Sequence, residues 1–319
     1  MTFFVLQPES EHVGCARRAA GLESRVVTEE KGKAAALTEI SLILAAVFWG
    51  ANYAATKYAA EFFHPLLLVT FRFSAGGLLL FFVLRLLEPQ SKLKRGDILP
   101  MLGLGCFGVG AAQTAFTFGV SMTSAASTGL VFATAPVWGM LLGSALGLER
   151  PTWKGIVGVG LSISGVGLVV WGSFGSGDDS LAGDLLILLA AVCVGAYTVF
   201  SMRVLGRHSP LAVATYPTLF GAPAVLLLSS PYLVELNPGA GVGAWAAIAY
   251  SAVFATAFAF AGWQRGISRV GANRVLVYQY LITLTGVAAG IVFLEENLGL
   301  DKILGGTVIL FGVYLARRQ

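Results

Sequence analysis

The chain reads as long apolar runs broken by short clusters of charge, proline and glycine. Ten runs separate, at about 38–60, 65–87, 98–120, 125–148, 154–173, 183–203, 210–230, 244–263, 271–294 and 302–317. Most approach the roughly 20 residues a helix needs to cross a hydrocarbon core of about 30 Å. The pattern therefore predicts an all-α integral membrane protein with ten transmembrane helices. The connections are short and leave no room for a separate soluble domain. Residues 1–36 mix charges such as Glu29, Glu30, Lys31 and Lys33 with few apolar runs, which predicts a flexible N-terminal tail. The opening Phe3-Phe4-Val5-Leu6 is too short for a signal-peptide core and has no basic residue before it, so the first long run is expected to act as the insertion signal.

The runs are duplicated. A gapless shift that carries Gly119 onto Gly266 also carries Ser121, Ala125, Gly139, Gly143, Glu149, Gly158 and Gly165 onto Ser268, Ala272, Gly286, Gly290, Glu296, Gly305 and Gly312. Internal self-similarity of this kind marks repeated structural units. Here it predicts one five-helix repeat over 37–173 and a second over 183–319. Because five is odd, the second repeat must enter the membrane the other way up. Two inverted five-helix repeats are a transporter design, since exchanging the conformations of two similar halves turns a cavity from one face of the membrane to the other.

Composition removes the soluble alternatives. Apolar residues make up 56% of the chain and charged ones 12%, and the mean hydropathy is +0.78, so the surface cannot face water. The net charge of +4 is topological rather than a nucleic-acid footprint. Of the 21 Lys and Arg, all but Lys57, Arg72 and Lys302 fall on one side when the spans are alternated, while Asp178, Asp179, Asp184, Glu235 and Asp301 gather on the other. The positive-inside rule then places both termini in the cytoplasm of a multi-pass protein of the cell's inner (plasma) membrane. Cys15, Cys106 and Cys193 are far apart, and His12, His64 and His208 are scattered, so neither a metal nor a cofactor is expected. Gly103-Leu-Gly105-Cys-Phe-Gly108 matches a dinucleotide fingerprint letter for letter, but it lies inside an apolar run with no strand before it. The expected partners are a small-molecule substrate and the lipid bilayer, with the protein a monomer or homodimer.

Polar side chains inside the spans are the candidates for function, because stranding them in hydrocarbon costs several kcal/mol. Asn52, flanked by Trp49 and Tyr53, either lines a cavity or bonds another helix. Arg72 either captures a substrate carboxylate or snorkels to the interface to pair with Glu61. Gln113 with Phe116, Trp263 with Gln264, and Tyr278 with Gln279 join amides to aromatic faces, and Tyr197 completes the cavity candidates. Such a set suits an amphipathic small molecule held by stacking and a few hydrogen bonds. Glu149 and Glu296 at span ends are expected to cap the following helix or to pair with Arg150, Lys154 or Lys302. Gly139 with Gly143, and Gly286 with Gly290, offer close helix contact at a structural or gating surface. Pro136 removes a mid-span hydrogen bond and is expected to kink its helix toward the cavity.

Trp49-Gly50-Ala51-Asn52-Tyr53, Pro136 followed by Glu149-Arg150, and Leu294-Glu295-Glu296-Asn297-Leu298 followed by Gly305 and Gly312 resemble the EamA family of the drug/metabolite transporter superfamily over about 37–317. The order of these features, with the duplication and the ten spans, carries the likeness. It implies a ten-helix inner-membrane carrier of small metabolites, often amino acids or related hydrophobic compounds and often outward, working through a cavity between the halves. One departure is Thr283, which with Tyr278-Gln279-Tyr280 before it stands where the family commonly has a ninth-span proline. The expected protein is thus an exporter of amino acids or related compounds and not an enzyme. A nucleotide-sugar carrier, which needs several cavity cations, and an intramembrane enzyme, which needs converging acid, base or metal ligands, are the alternatives. No Asp or Glu lies deep in a span, which favours facilitated diffusion or coupling through the substrate's own charge.

Overall fold

In hydrocarbon every backbone polar group must be satisfied within the chain, and a helix does this locally. The structure, a computed structural model, describes residues 10–147, 152–173, 180–271, 275 and 278–317, and among these the regular elements are all helical. They are α1 (Ser10–Ala60), α2 (Pro65–Leu87), α3 (Ile98–Leu104), α4 (Ala112–Met122), α5 (Ala125–Phe132), α6 (Ala135–Ala145), α7 (Trp153–Ser173), α8 (Leu181–Leu205), α9 (Pro210–Ser229), α10 (Val242–Tyr250), α11 (Ala259–Val270), α12 (Tyr278–Leu294) and α13 (Leu300–Arg317). Among the described residues eight helical stretches are long and apolar enough to cross a membrane, from Ala34–Ala60 to Val242–Val270, and α12 is a shorter apolar helix. By contact the chain divides at Ile40: up to that residue it forms one unit, and Ser41–Gln319 form a second. In the first unit, part of what the composition suggests as a flexible tail is helical from Ser10. Its Ala, Leu, Glu and Lys content favours helix locally.

Helix starts follow their local chemistry. Ser124, Ser180 and Ser209 accept the backbone N–H of Ser127, Gly183 and Ala212, and His64 accepts that of Leu66 ahead of Pro65. These are N-caps, two of them with proline at the first helical position. Pro136 does more than the expected kink. Its span is broken into α5 and α6 by a tight turn at Ala133–Thr134, because the ring removes an N–H and opposes continuous helix across it.

Two further irregularities match each other. A π-helix over Gly105–Ala111 joins α3 to α4, and another over Ser251–Phe258 joins α10 to α11. The shift that relates the halves sets one upon the other within a residue. The fingerprint look-alike Gly103 to Gly108 runs from α3 into the first of them.

Packing is closest where repeat-related helices meet. A Cβ on Gly158 of α7 would lie 2.5 Å from the carbonyl oxygen of Gly312 of α13, and one on Gly165 would lie 2.7 Å from that of Gly305. The converse holds: Cβ atoms on Gly312 and Gly305 would lie 2.7 and 2.9 Å from the oxygens of Gly158 and Gly165. Since Gly158 corresponds to Gly305 and Gly165 to Gly312, the contact is reciprocal, as in an isologous interface. Small residues bring backbones together where lipid supplies no hydrophobic drive. Alanine at Gly165 or Gly312 is therefore expected to destabilise the protein by about 1–3 kcal/mol through overpacking. Gly160→Ala and Gly167→Ala, where nothing lies within 4 Å, should leave the midpoint unchanged or raise it slightly, since alanine favours helix over glycine. Thermal unfolding of the purified variants in detergent measures both.

Candidate functional site

The polar residues of the spans converge on one cavity of about 200 Å³. That is far more than the roughly 10–15 Å³ one water needs and just under the roughly 300–1,000 Å³ of drug-sized pockets. Trp49, Asn52, Tyr53, Arg72, Gln113, Phe116, Tyr197, Trp263 and Gln279 all line it. Pro136 and Gly139 lie on its wall as well. Two cavity candidates stand apart. Gln264 is buried behind the wall and donates from Nε2 to the Tyr197 hydroxyl at 3.2 Å, and Tyr278 packs against the apolar core.

Asn52 takes both of the roles open to it. While lining the cavity, its Oδ1 accepts from Ser251 at 2.6 Å and its Nδ2 donates to Thr56 at 3.1 Å. The Trp49 indole donates to the carbonyl of Ala255 at 2.7 Å, and Arg72 Nε donates to Thr256 Oγ1 at 2.9 Å. Three cavity residues thus lean on the π-helix Ser251–Phe258. Its widened turn shifts carbonyls and side chains out of the regular ladder, and such turns are frequent at functional sites. On the matching π-helix, Gly108 leaves room for the ring of Tyr197.

Arg72 turns inward instead of snorkelling toward Glu61. Only 5% of it is exposed, and its guanidinium lies 4.8 Å from the Phe73 ring centroid. Gln113 Oε1 is a long 3.5 Å from Nη1. Among the described residues Arg72 is the one charged group on the wall. Two aromatic groups face the same space. Tyr53, Phe116 and Phe132 stand 5.5 to 6.4 Å apart by centroids, and Trp49 lies 4.9 Å from Trp263 and 5.6 Å from Phe260. The amphipathic lining expected from the amide and aromatic pairs is therefore assembled from both halves of the sequence.

Glu296 differs from its expected partners. Its Oε1 accepts from Lys57 Nζ at 3.0 Å and from the Ala125 N–H at 2.8 Å, and its Oε2 from the Ala126 N–H at 3.1 Å. It therefore caps α5 from across the fold rather than the helix that follows it. The reason is Gly290: a Cβ there would stand 2.6 Å from Glu296 Oε2 and 3.1 Å from Ala125 Cβ. Gly286 in turn receives the Tyr53 ring, and Gly139 meets the Gly195 backbone at 3.4 Å; Gly143 is buried on α6. Lys302, at the same end, donates to the Ser124 Oγ at 3.0 Å, and Thr123 donates to Asp184 at 2.7 Å. Glu149 lies outside the described residues.

Several wall residues carried no signal. Phe132, Val137, Met140, Val194, Met202 and Ile282 line the cavity, yet in sequence they match lipid-facing residues. Phe260 was recoverable, since it stands three residues before Trp263 and so shares its helix face. His208, read as one of three scattered histidines, is brought to Asp97, with Nε2 and Oδ2 2.8 Å apart; Arg207 pairs with the other oxygen at 2.8 Å.

Comparison with known proteins decides the family. The model of the EamA-like transporter family matches residues 36–171 and again 181–318. The chain belongs to this family. Among the relatives of this EamA transporter is an uncharacterized transporter of Archaeoglobus fulgidus, 26% identical over 88% of this chain and 98% of that protein. Another, from Streptantibioticus cattleyicolor, is named "Probable terminal-alkyne amino-acid exporter" and is 28% identical over 70% of this chain and 75% of its own. A third, from Salmonella typhimurium, is named "Probable amino-acid metabolite efflux pump" and is 27% identical over 86% and 92%. A crystal structure superposes with a TM-score of 0.63 at 18% identity, covering 88% of this chain and 96% of that one, which shows a shared fold. This EamA protein is thus a multi-pass membrane transporter.

The geometry at Glu296 separates its two partners. Glu296→Ala leaves Lys57 and two buried N–H groups unpaired, and is expected to cost about 2 kcal/mol or more. Lys57→Ala leaves the cap intact and should cost about 1 kcal/mol or less, because Lys57 is partly exposed. Midpoints of thermal unfolding in detergent for the two single variants and the double variant measure the difference.

Proposed function

We propose that the protein carries small amphipathic metabolites, amino acids or related compounds, outward across the membrane by alternating access between two inverted five-helix halves, 37–173 and 183–319. The observation that carries this reading is the cavity, whose wall draws Asn52, Arg72, Gln113 and Phe116 from one half and Tyr197, Trp263 and Gln279 from the other. The reciprocal glycine contacts of α7 with α13 and the matching π-helices favour a pseudo-two-fold between the halves, as alternating access requires. The names of the Streptantibioticus and Salmonella relatives favour amino acids and export.

The direction of opening follows from chain order. Lining residues Met202 and Ala316 stand near the C-terminal ends of α8 and α13, and Met140 lies midway along α6 in the second half of its span; the Lys and Arg bias assigns these ends to the cytoplasm. Lys57, Ser124, Glu296 and Lys302 tie the opposite ends together. The conformation is accordingly inward-facing, with the outer side closed. Both termini lie in the cytoplasm in this arrangement.

Proteoliposomes containing the full chain, tested with a panel of radiolabelled amino acids with and without a pH gradient, should show saturable counterflow of apolar and aromatic ones. The rate should respond little to the pH gradient, because no acidic residue lines the described wall. Absence of counterflow across the panel, or transport only when a proton gradient is imposed, would overturn this reading.

A further inference from the structure

We propose that Arg72 is the receptor for a carboxylate on the transported molecule, and that the site takes small monocarboxylates with an apolar body, an α-amino group being optional. This rests on reading the central cavity as the substrate site, and it names the chemistry that the site selects. A guanidinium held inside a membrane bundle is costly unless a countercharge or a full set of acceptors meets it. Arg72 is buried and offers five N–H donors. Its hydrogen-bond acceptors are neutral, Thr256 Oγ1 at 2.9 Å and Gln113 Oε1 at 3.5 Å. Among the described residues it forms no ion pair, and the buried carboxylates are engaged at the ends of the helices: Asp184 by Thr123, Glu296 by Lys57, and Asp97 by Arg207 and His208.

Two more donors on the same wall are unmatched. The Tyr53 hydroxyl and the Gln279 Nε2 are buried without a hydrogen-bond partner, and each belongs to a residue lining the cavity. A cation with two spare donors and no acid calls for an anionic acceptor with at least two oxygens. Carboxylate fits the planar fork of arginine in a bidentate manner. The aromatic groups around Trp49 and Phe116 supply faces for an apolar body. Among the described residues nothing on the wall gives an ammonium a full countercharge, so the amine contributes by resting on those faces.

The test compares matched probes on the detergent-purified full chain by isothermal titration calorimetry: 3-phenylpropionate against 3-phenylpropionamide, and L-phenylalanine against L-phenylalaninamide. The wild type should bind each acid about tenfold or more tighter than its amide. Arg72→Gln should abolish the preference, Arg72→Lys should retain part of it, and Tyr53→Phe should weaken the acids while sparing the amides. Equal binding of acid and amide by the wild type, or a preference that survives Arg72→Gln, overturns the proposal. If Arg72→Gln does not fold, the wild-type pairs together with Arg72→Lys and Tyr53→Phe still decide the matter. Binding in detergent requires no transport. A protein that binds the acids through Arg72 yet moves nothing in liposomes would therefore contradict the carrier reading and leave this one standing.

Discussion

The structure depends on backbone meeting backbone between α7 and α13. Lipid is as apolar as the helix surfaces, so association has to come from contact itself, and contact is closest where side chains are missing. Gly158 against Gly312 and Gly165 against Gly305 provide that, with each glycine meeting the repeat counterpart of the other glycine on its own helix. The same exchange recurs elsewhere: Gly119 receives Ile187 of α8, while its equivalent Gly266 receives Leu42 of α1. Contacts that return in exchanged pairs are the expected result when two copies of one fold pack about a two-fold axis.

With the frame fixed in this way, charge is allocated by position. The three cations that chain order leaves on the acidic side are all used internally: Lys57 by Glu296, Lys302 by Ser124, and Arg72 by Thr256 and Gln113. The first two tie helix ends together, on the side that the proposed conformation closes. Arg72 stands on the cavity wall with Thr256 and Gln113 as its acceptors, and on that position its proposed role as a ligand receptor rests.

Much of this was legible in the sequence because the bilayer imposes strong rules. Run lengths, the glycine-marked repeat and the sidedness of Lys and Arg expressed the membrane class, and amides among aromatics pointed to most of the polar wall. What stayed hidden depends on partners distant in sequence. Nothing near Glu296 announces that it caps α5 through Ala125 and Ala126, and nothing near His208 announces Asp97. Pro136 signalled an irregularity but not a complete break, since its effect depends on whether neighbours let the turn at Ala133–Thr134 close. The π-helices left no trace either, because the residues that meet them, Trp49, Asn52 and Tyr197, are distant in sequence. Apolar wall residues such as Met140 and Ile282 differ from lipid-facing ones only in where they point.

The central claim, that one half is inverted relative to the other, is tested most directly at Trp153 and Leu300. These positions correspond in the repeat, both open the last helix of their half, and both are exposed, at 76% and 77%. In a background with Cys15, Cys106 and Cys193 replaced, single cysteines at these two positions can be labelled in intact cells with a membrane-impermeant maleimide. The account predicts that Leu300→Cys reacts from outside while Trp153→Cys reacts only after the membrane is opened. Reaction of both from the same side would contradict it.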